Sequence, residues 1–315
     1  MKVDERVAFA HVDGSPMISI VPFNQRHEDA VLAFWQSLHP DWTWLRDRER
    51  VVDMFAEDED VERKDYVVRS DKSVIATVFT QCVRRSGWLP SRFVHIETRP
   101  ATLGSRWLEP LLEAIEGIDQ RGHDTWHVIN VEENLLLDLQ PILELAGFSP
   151  HSKVLRVEWT GQFIRTTDAG PVSFERYAGG SLETDQAIVD LYERSFRRSR
   201  FAAPLRLQRL WKPWPGQQFR EYALGWMNDS LVGLVEWGFF SGTAVMNTMA
   251  VARSCWGTGL AQALMTWVMQ IILQEGHRSI LGTTQSNNAA SIAVQQKLGW
   301  QINRVLAHTF VRKLQ

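Results

Sequence analysis

The sequence predicts an α+β protein made of two tandem domains of one fold, each a mixed, mostly antiparallel sheet flanked by helices. Three observations predict it. Landmarks recur along the chain at a near-constant offset. Apolar, strand-like runs are punctuated by hairpin turn residues. One apolar strand passes through a glycine-spaced turn straight into an amphipathic helix.

The repeat sets the domain count. Gly122-His123 reappears as Gly276-His277 at an offset of 154, Tyr66 as Tyr222 at 156, and Gly147-Phe148 as Gly299-Trp300 at 152. Met17–Val21 reads like Pro171–Glu175, and each is followed by a helical stretch, Glu28 to Leu38 and Asp185 to Phe196. So many landmarks at one spacing mean duplication of a whole domain, giving domains over 1–160 and 171–315. The linker falls near Thr160 to Pro171, where Thr166–Pro171 is polar and breaker-rich. A chain of 315 residues, 44 % hydrophobic and 23 % charged, has the length and composition of two ordinary globular domains.

In the second half, strands are expected at Ser173–Tyr177, Tyr222–Met227, Leu231–Phe239, Ala244–Val251, Ser279–Thr283 and Ile302–Val311. Asn228-Asp229-Ser230 and Ser241-Gly242 supply the turns between them. After Val251 comes Ala252-Arg253-Ser254-Cys255-Trp256-Gly257-Thr258-Gly259, and a helix then carries Leu260, Leu264, Trp267, Val268, Ile271 and Ile272 on one face. The first N–H groups of a helix lack internal partners and sit at the positive end of its dipole. Glycines there let the backbone approach an anion, so the element order makes a phosphate site. Further on, Asn288 reads as an N-cap and Gly299 as a left-handed helix stop before Trp300.

These two pieces, in this order, resemble the GNAT superfamily of N-acetyltransferases. Ala250-Val251 followed by Trp256-x-x-Gly259-x-Ala261 fits the family's coenzyme A loop, with Trp256 where Gln or Arg is usual. Asn288, Leu298, Gly299 and Trp300 fit its later Asn…Leu-Gly-Phe signature. The tandem layout is similar to that of mycothiol synthase. The resemblance implies acetyl transfer from acetyl-CoA to a primary amine of a small molecule or peptide. It assigns cofactor binding to Met249, Ala250, Val251, Trp256, Gly257, Thr258, Gly259, Leu260, Ala261 and Asn288, with a main-chain N–H of Met249–Val251 as oxyanion donor.

The acid and base depart from the family pattern. Asn247 stands where a Glu is common, and Gln295 where a Tyr serves as the thiolate's acid. Glu236, in an apolar strand, and His308, on a closing strand, are the replacement candidates for the base. A solvent-facing strand carboxylate and a structural histidine are the competing readings. Asn288 serves equally as a plain N-cap. A non-catalytic acyl-CoA module and a scaffold remain alternatives to the enzyme.

The first half departs further. Its loop reads Leu103-Gly104-Ser105-Arg106-Trp107-Leu108, with Arg106 and Leu108 in place of the second glycine and the small residue, and Leu136 stands at the position of Asn288. A structural role follows for this half, although Arg106 is itself a phosphate ligand type. His123 and His127 lack a completing ligand, so no metal is expected, and Cys255 reads as an inert loop thiol. The basic run Arg194–Arg200 reads as a solvated helix end. Trp42, Trp44, Trp211 and Trp214 are expected either to line the acceptor cleft or to pack the interface between the halves.

A net charge of −3 argues against nucleic acid as a partner. Two cysteines without disulfide spacing, no signal pattern and no run of eighteen apolar residues argue for a cytoplasmic protein that does not enter a membrane. The duplication leaves monomer and homodimer both open.

Overall fold

The computed structural model describes residues 7–8, 17–40, 61–71, 73–83, 88, 90–99, 107–119, 125–161, 170–197, 202, 205–211, 217–240 and 242–314. The chain divides into two compact units, Met1–Ser152 with Ala307–Gln315, and Lys153–Leu306.

In unit 1 the elements are β1 (Val7–Ala8), β2 (Ile18–Pro22), α1 (Glu28–Leu38), β3 (Val61–Arg63), β4 (Tyr66–Ser70), β5 (Ser73–Val83), β6 (Ser91–Thr98), α2 (Leu108–Asp119), β7 (Trp126–Glu132) and α3 (Leu136–Leu145). Strand order is β1-β2-β4-β5-β6-β7, with β3 on β5. All neighbours are antiparallel except β6 and β7, which run parallel across the α2 crossover. Leu111 and Ile115 of α2 and Leu139 and Leu143 of α3 bury one face of the sheet against Val78, Ile96 and Ile129. Val31, Phe34 and Trp35 of α1 cover Val67 on the other.

Unit 2 repeats this plan. Its elements are β9 (Ser173–Tyr177), α4 (Leu182–Phe196), α5 (Leu207–Leu210), β10 (Gln217–Met227), β11 (Ser230–Phe240), β12 (Thr243–Val251), α6 (Leu260–Gln274), β13 (Ile280–Gln285) and α7 (Ala289–Lys297). The order is β13-β12-β11-β10-β9, and β12–β13 is the parallel pair. Leu264, Met265, Val268 and Ile272 of α6 pack one face onto Ala223, Val235 and the fully buried Trp237. Ile188 and Leu191 of α4 close the other over Tyr222, Leu224 and Leu234. Each large apolar side chain so buried contributes about 1.5–3 kcal/mol. Both units are therefore helix–sheet–helix sandwiches of α+β type.

The closing strands are exchanged. β8 (Ser149–Trp159) follows α3 in sequence, yet its residues Val154–Trp159 pair antiparallel with β13 of unit 2. The far end of β14 (Gln301–Lys313), Ala307–Lys313, pairs with β7 of unit 1, where Phe310 enters the core. Each sheet is thus completed by a strand that the sequence attaches to the other half.

Local signals account for most boundaries. Ser181 caps α4 by accepting from the Thr184 N–H at 3.2 Å, and Gly147 and Gly299 end α3 and α7 with positive φ. The duplicated landmarks Gly147-Phe148 and Gly299-Trp300 are therefore the same helix stop in both units. Arg106, Gly104, Trp42, Trp44, Trp214, His123, Arg198–Arg200 and most of the linker lie outside the described residues. His127 is buried on β7, and Trp211 stacks edge-on against Tyr177 and Tyr222.

Candidate active site

The site of unit 2 begins where β12 and β13 part. Their parallel pairing runs over Ala244, Val245 and Met246 and stops at Gly282. β12 continues to Val251 and β13 to Gln285, the latter now paired with β8 alone. The cause sits on β12. Glu236 of β11 pairs with Thr248 and Trp237 with Met246, so Asn247 is an extra residue, a β-bulge. A bulge bends its strand and increases local twist, which turns the far half of β12 away from β13. At the last paired position a Cβ on Gly282 would lie 3.3 Å from the Met246 carbonyl oxygen, so a side chain there would press on β12.

The parted strand leads into the loop. Residues Arg253–Cys255 form a 3-10 turn, Gly257 and Gly259 adopt φ of 78° and 89°, and α6 starts at Leu260. Both glycines hold left-handed backbone that a side chain would strain. Space around the Gly257 α-carbon is open, since an added Cβ would meet nothing within 4 Å. Among the described residues the N–H groups of Gly257 and Gly259 have no protein partner, and the Leu260 N–H has only a 3.4 Å approach to Thr258 Oγ1. Thr258 Oγ1 itself donates to the Cys255 carbonyl at 2.8 Å, which holds the turn closed. Unsatisfied donors at the positive end of a 15-residue helix are what an anionic phosphate needs. The loop therefore fits a pyrophosphate.

Trp256 is the exposed residue of the loop, at 64 %. Its Nε1 donates to the Val251 carbonyl at 3.0 Å, and Arg253 lies 5.8 Å from the ring centre. The indole is fixed across the junction of strand and loop. Cys255 is buried. Asn288 caps α7, its Oδ1 accepting from the Ser291 N–H at 3.2 Å. Beside the parted strands, Thr284 Oγ1 on β13 and Gln295 Oε1 on α7 are buried and have no hydrogen-bond partner among the described residues.

The two candidate bases are far from equivalent. Glu236 is buried and does not face solvent; its Oε1 lies 3.0 Å from Arg220 Nε and accepts from Asn247 Nδ2 at 3.2 Å. Arg220 also donates to the Leu210 carbonyl at 2.8 Å. Burial, followed by the charge of Glu236, pushes the Tyr192 phenol up to about 12 and raises Tyr222 as well. A proton taken by Glu236 would break its buried ion pair with Arg220, at about 3–5 kcal/mol. His308 sits elsewhere: it pairs with Val131 on β7 in unit 1, with Nε2 2.5 Å from Glu133. The sequence reading missed Arg220, because its partnership with Glu236 depends on strand register.

The acetyltransferase (GNAT) family model matches residues 186–300, spanning α4 through the loop to the end of α7. Unit 2 carries a GNAT domain. The matched stretch lies within unit 2. No curated protein matches the chain. Among solved structures, a tandem GNAT protein from the clavulanic acid biosynthesis pathway superimposes with a TM-score of 0.65 at 14 % identity, covering 94 % of this chain and 98 % of that one. A GCN5-related N-acetyltransferase from Sphaerobacter thermophilus gives 0.61 at 14 % identity, over 94 % and 95 %. One from Pyrococcus horikoshii, described as a putative acetyltransferase, gives 0.60 at 8 % identity, over 98 % and 92 %. The fold of both units is thus the tandem GNAT fold, and the loop, bulge and parted strands all lie in the GNAT domain. Among the described residues no group of His, Cys, Asp and Glu is set to hold a metal, and no helix is long and apolar enough to cross a membrane.

Proposed function

We propose that unit 2 transfers an acetyl group from acetyl-CoA to a primary amine of a small molecule or peptide, by direct attack of the amine on the thioester. The observation that carries this reading is continuity: the parted edge of β12 runs without a break into the glycine loop at the start of α6. Gly257, Thr258, Gly259, Leu260 and Ala261 would take the pyrophosphate on backbone N–H groups, with Trp256 beside them. Met249, Ala250 and Val251 would pair with the pantetheine arm, and Asn288 would add a side-chain bond while capping α7. Acetyl-CoA supplies the acyl carbon and a thiol leaving group whose pKa, about 8.5, lets it depart as thiolate. The chain's part is to orient: a β12 N–H past the bulge faces the thioester oxygen, and the bulge holds the amine's approach open. Glu236, bound to Arg220, fixes Asn247 and is not the base; water carries the amine's proton. The protein acts in the cytosol in this reading, as a monomer or homodimer.

One observation favours a second reading, a non-catalytic acyl-CoA-binding module. The only carboxylate at the bulge, among the described residues, is committed to Arg220. Calorimetric titration with acetyl-CoA, on the wild type and Gly259→Arg, tests the first step. One site that the variant loses supports binding in unit 2; no site overturns both readings. Thiol release from acetyl-CoA in the presence of an amine panel then separates enzyme from module.

A further inference from the structure

Backbone binding of a pyrophosphate leaves the ring of Trp256 without a partner, although the ring is held in place. Its only polar group, Nε1, is spent on the Val251 carbonyl at 3.0 Å. What the indole presents outward is therefore a π-face, in a side chain that is 64 % exposed. A fixed ring of this kind is a platform for another flat surface. Arg253, three residues earlier on the 3-10 turn, brings a charge beside it. Arg253 is exposed, and its side chain makes no hydrogen bond or ion pair among the described residues. Its guanidinium carbon lies 5.8 Å from the Trp256 ring centre, at the outer limit of a cation–π contact, which leaves the N–H donors available. No Asp or Glu occurs between Trp237 and Gln274, so no acid of β12, the loop or α6 neutralises that charge. An aromatic face and a guanidinium fork thus stand together immediately before the open N–H groups of Gly257 and Gly259.

We propose that Trp256 and Arg253 set the nucleotide specificity of the donor site: the indole stacks on the adenine, and the guanidinium binds the phosphate on the ribose 3′-oxygen. This rests on the acetyl-CoA reading of unit 2 and goes beyond it. A loop that holds only the pyrophosphate does not distinguish coenzyme A from its 3′-dephospho form, because both carry the same pyrophosphate. The side-chain pair does distinguish them. In coenzyme A the adenosine joins the pyrophosphate through the ribose 5′ carbon, and the 3′-phosphate hangs from the same ring. A ligand seated on the loop therefore carries base and extra phosphate together, at one end of the pyrophosphate. Guanidinium is the side chain suited to a phosphate monoester, since its parallel N–H groups bind two oxygens at once. Stacking on indole is tolerant of the base, so the ring contributes affinity and the arginine contributes the choice. The two contributions are separable: the first is common to both nucleotides, and the second belongs to coenzyme A alone.

The test is calorimetric titration of the full chain with coenzyme A and with 3′-dephospho-coenzyme A at low ionic strength. Wild type should bind coenzyme A about tenfold tighter, and added salt should narrow that gap, since an exposed charge pair is screened. Arg253→Ala should weaken coenzyme A by about tenfold, leave the dephospho form unchanged and so abolish the preference. Trp256→Ala should weaken both nucleotides by a similar factor, about tenfold, and keep their ratio. Trp256→Phe, which keeps a ring and loses the Nε1 bond, should recover most of the affinity. Thermal midpoints without ligand should stay close to that of wild type, because both side chains are exposed. A purely structural pair would not move the ratio of the two affinities. Equal binding of the two nucleotides by wild type, a preference that survives Arg253→Ala, or undiminished binding in Trp256→Ala would overturn the proposal and leave acetyl-CoA binding in place. Binding of neither nucleotide would overturn the acetyl-CoA reading along with it.

Discussion

Both units set one carboxylate opposite a threonine at the same place in the sheet, and they hold it by different chemistry. In unit 2 Glu236 of the inner strand β11 faces Thr248; in unit 1 the order is reversed, and Thr77 of β5 faces Glu97 of β6. Glu236 is bound to a buried guanidinium, and arginine as a residue type carries a permanent charge. Glu97 is bound to two imidazoles, and histidine as a residue type is the one most readily switched by protons. The same position is therefore a fixed charge in one unit and a proton-responsive cluster in the other. The difference teaches that a buried carboxylate's role is set by its partner's pKa, and that duplication kept the position while freeing its partner to change.

The largest expected effects come from breaking what is fixed. Glu236→Ala breaks the buried ion pair with Arg220 and should destabilise unit 2 by about 3–5 kcal/mol, read by denaturant unfolding. Replacing Arg220 and Glu236 together with apolar residues of similar volume should recover most of that loss. If Glu236→Ala costs under about 1 kcal/mol, the pair behaves as a surface salt bridge and the contrast with Glu97 disappears. Phe310→Ala should cost a similar 3–5 kcal/mol. Hydrogen exchange should show the loss in β7 of unit 1 and not in β10, because Phe310 belongs to the unit 1 core. Uniform loss in both units would break the exchange of closing strands.

Acid sharpens the comparison at a smaller scale. The hydrogen bonds from His39 and His95 outweigh the burial that opposes them and hold Glu97 at about 2, below the ordinary value of 4.5. The folded value is depressed, so the stabilisation is present above the unfolded pKa and is lost as pH falls from about 4.5 toward 2. It amounts to about 2–3 kcal/mol. His95 has the opposite sign: its raised value adds stability below 6.5 that is lost as pH rises through the folded pKa. Unfolding of unit 1 between pH 5 and pH 2, followed in wild type and Glu97→Gln, should show an acid slope that the variant lacks. The smallest effect is local. Asn288→Ala should cost about 1 kcal/mol by removing the cap of α7. Its counterpart in unit 1 has nothing to lose, since Leu135 makes no side-chain cap bond to α3. A substitution of Leu135 or Leu136 by Asn that stabilises unit 1 would extend the same contrast.

What is local was legible in the sequence. Ser173–Tyr177 and Glu28–Leu38 are read at their observed bounds, because alternation, caps and helical spacing are carried by neighbouring residues. The other strands of unit 2 extend by one to five residues beyond one or both expected ends, except that β13 starts at Ile280, one residue after the expected Ser279. Gly257 and Gly259 are legible as a left-handed turn, and Asn288 as a cap, for the same reason. What depends on register was not legible. Arg220 and Glu236 meet because the β10–β11 register sets Arg220 opposite Gly238 and Tyr222 opposite Glu236, a diagonal pair, and Asn247 reads as an ordinary strand residue until the pairing of β11 shows it to be the extra one. His39, His95 and Glu97 are unremarkable in sequence, since their cluster joins a helix end to a strand 58 residues on. The partners of β8 and β14 are invisible for the deepest reason: strand propensity says that a segment will pair, not with which sheet.

The exchanged strands have a consequence for how the molecule comes into being. The bond between Thr309 and Asn130 joins residues 179 apart, across the whole of unit 2. On a ribosome, the first half of the chain emerges early but keeps an open sheet edge at β7 until residues beyond 306 arrive. Domains usually fold as they appear, the leading one first. Here the leading unit waits for the trailing one, and the exposed edge in the meantime is a template for wrong pairing. A messenger cut short after unit 2 would therefore strand the unit that had already been made in full view of the chaperones.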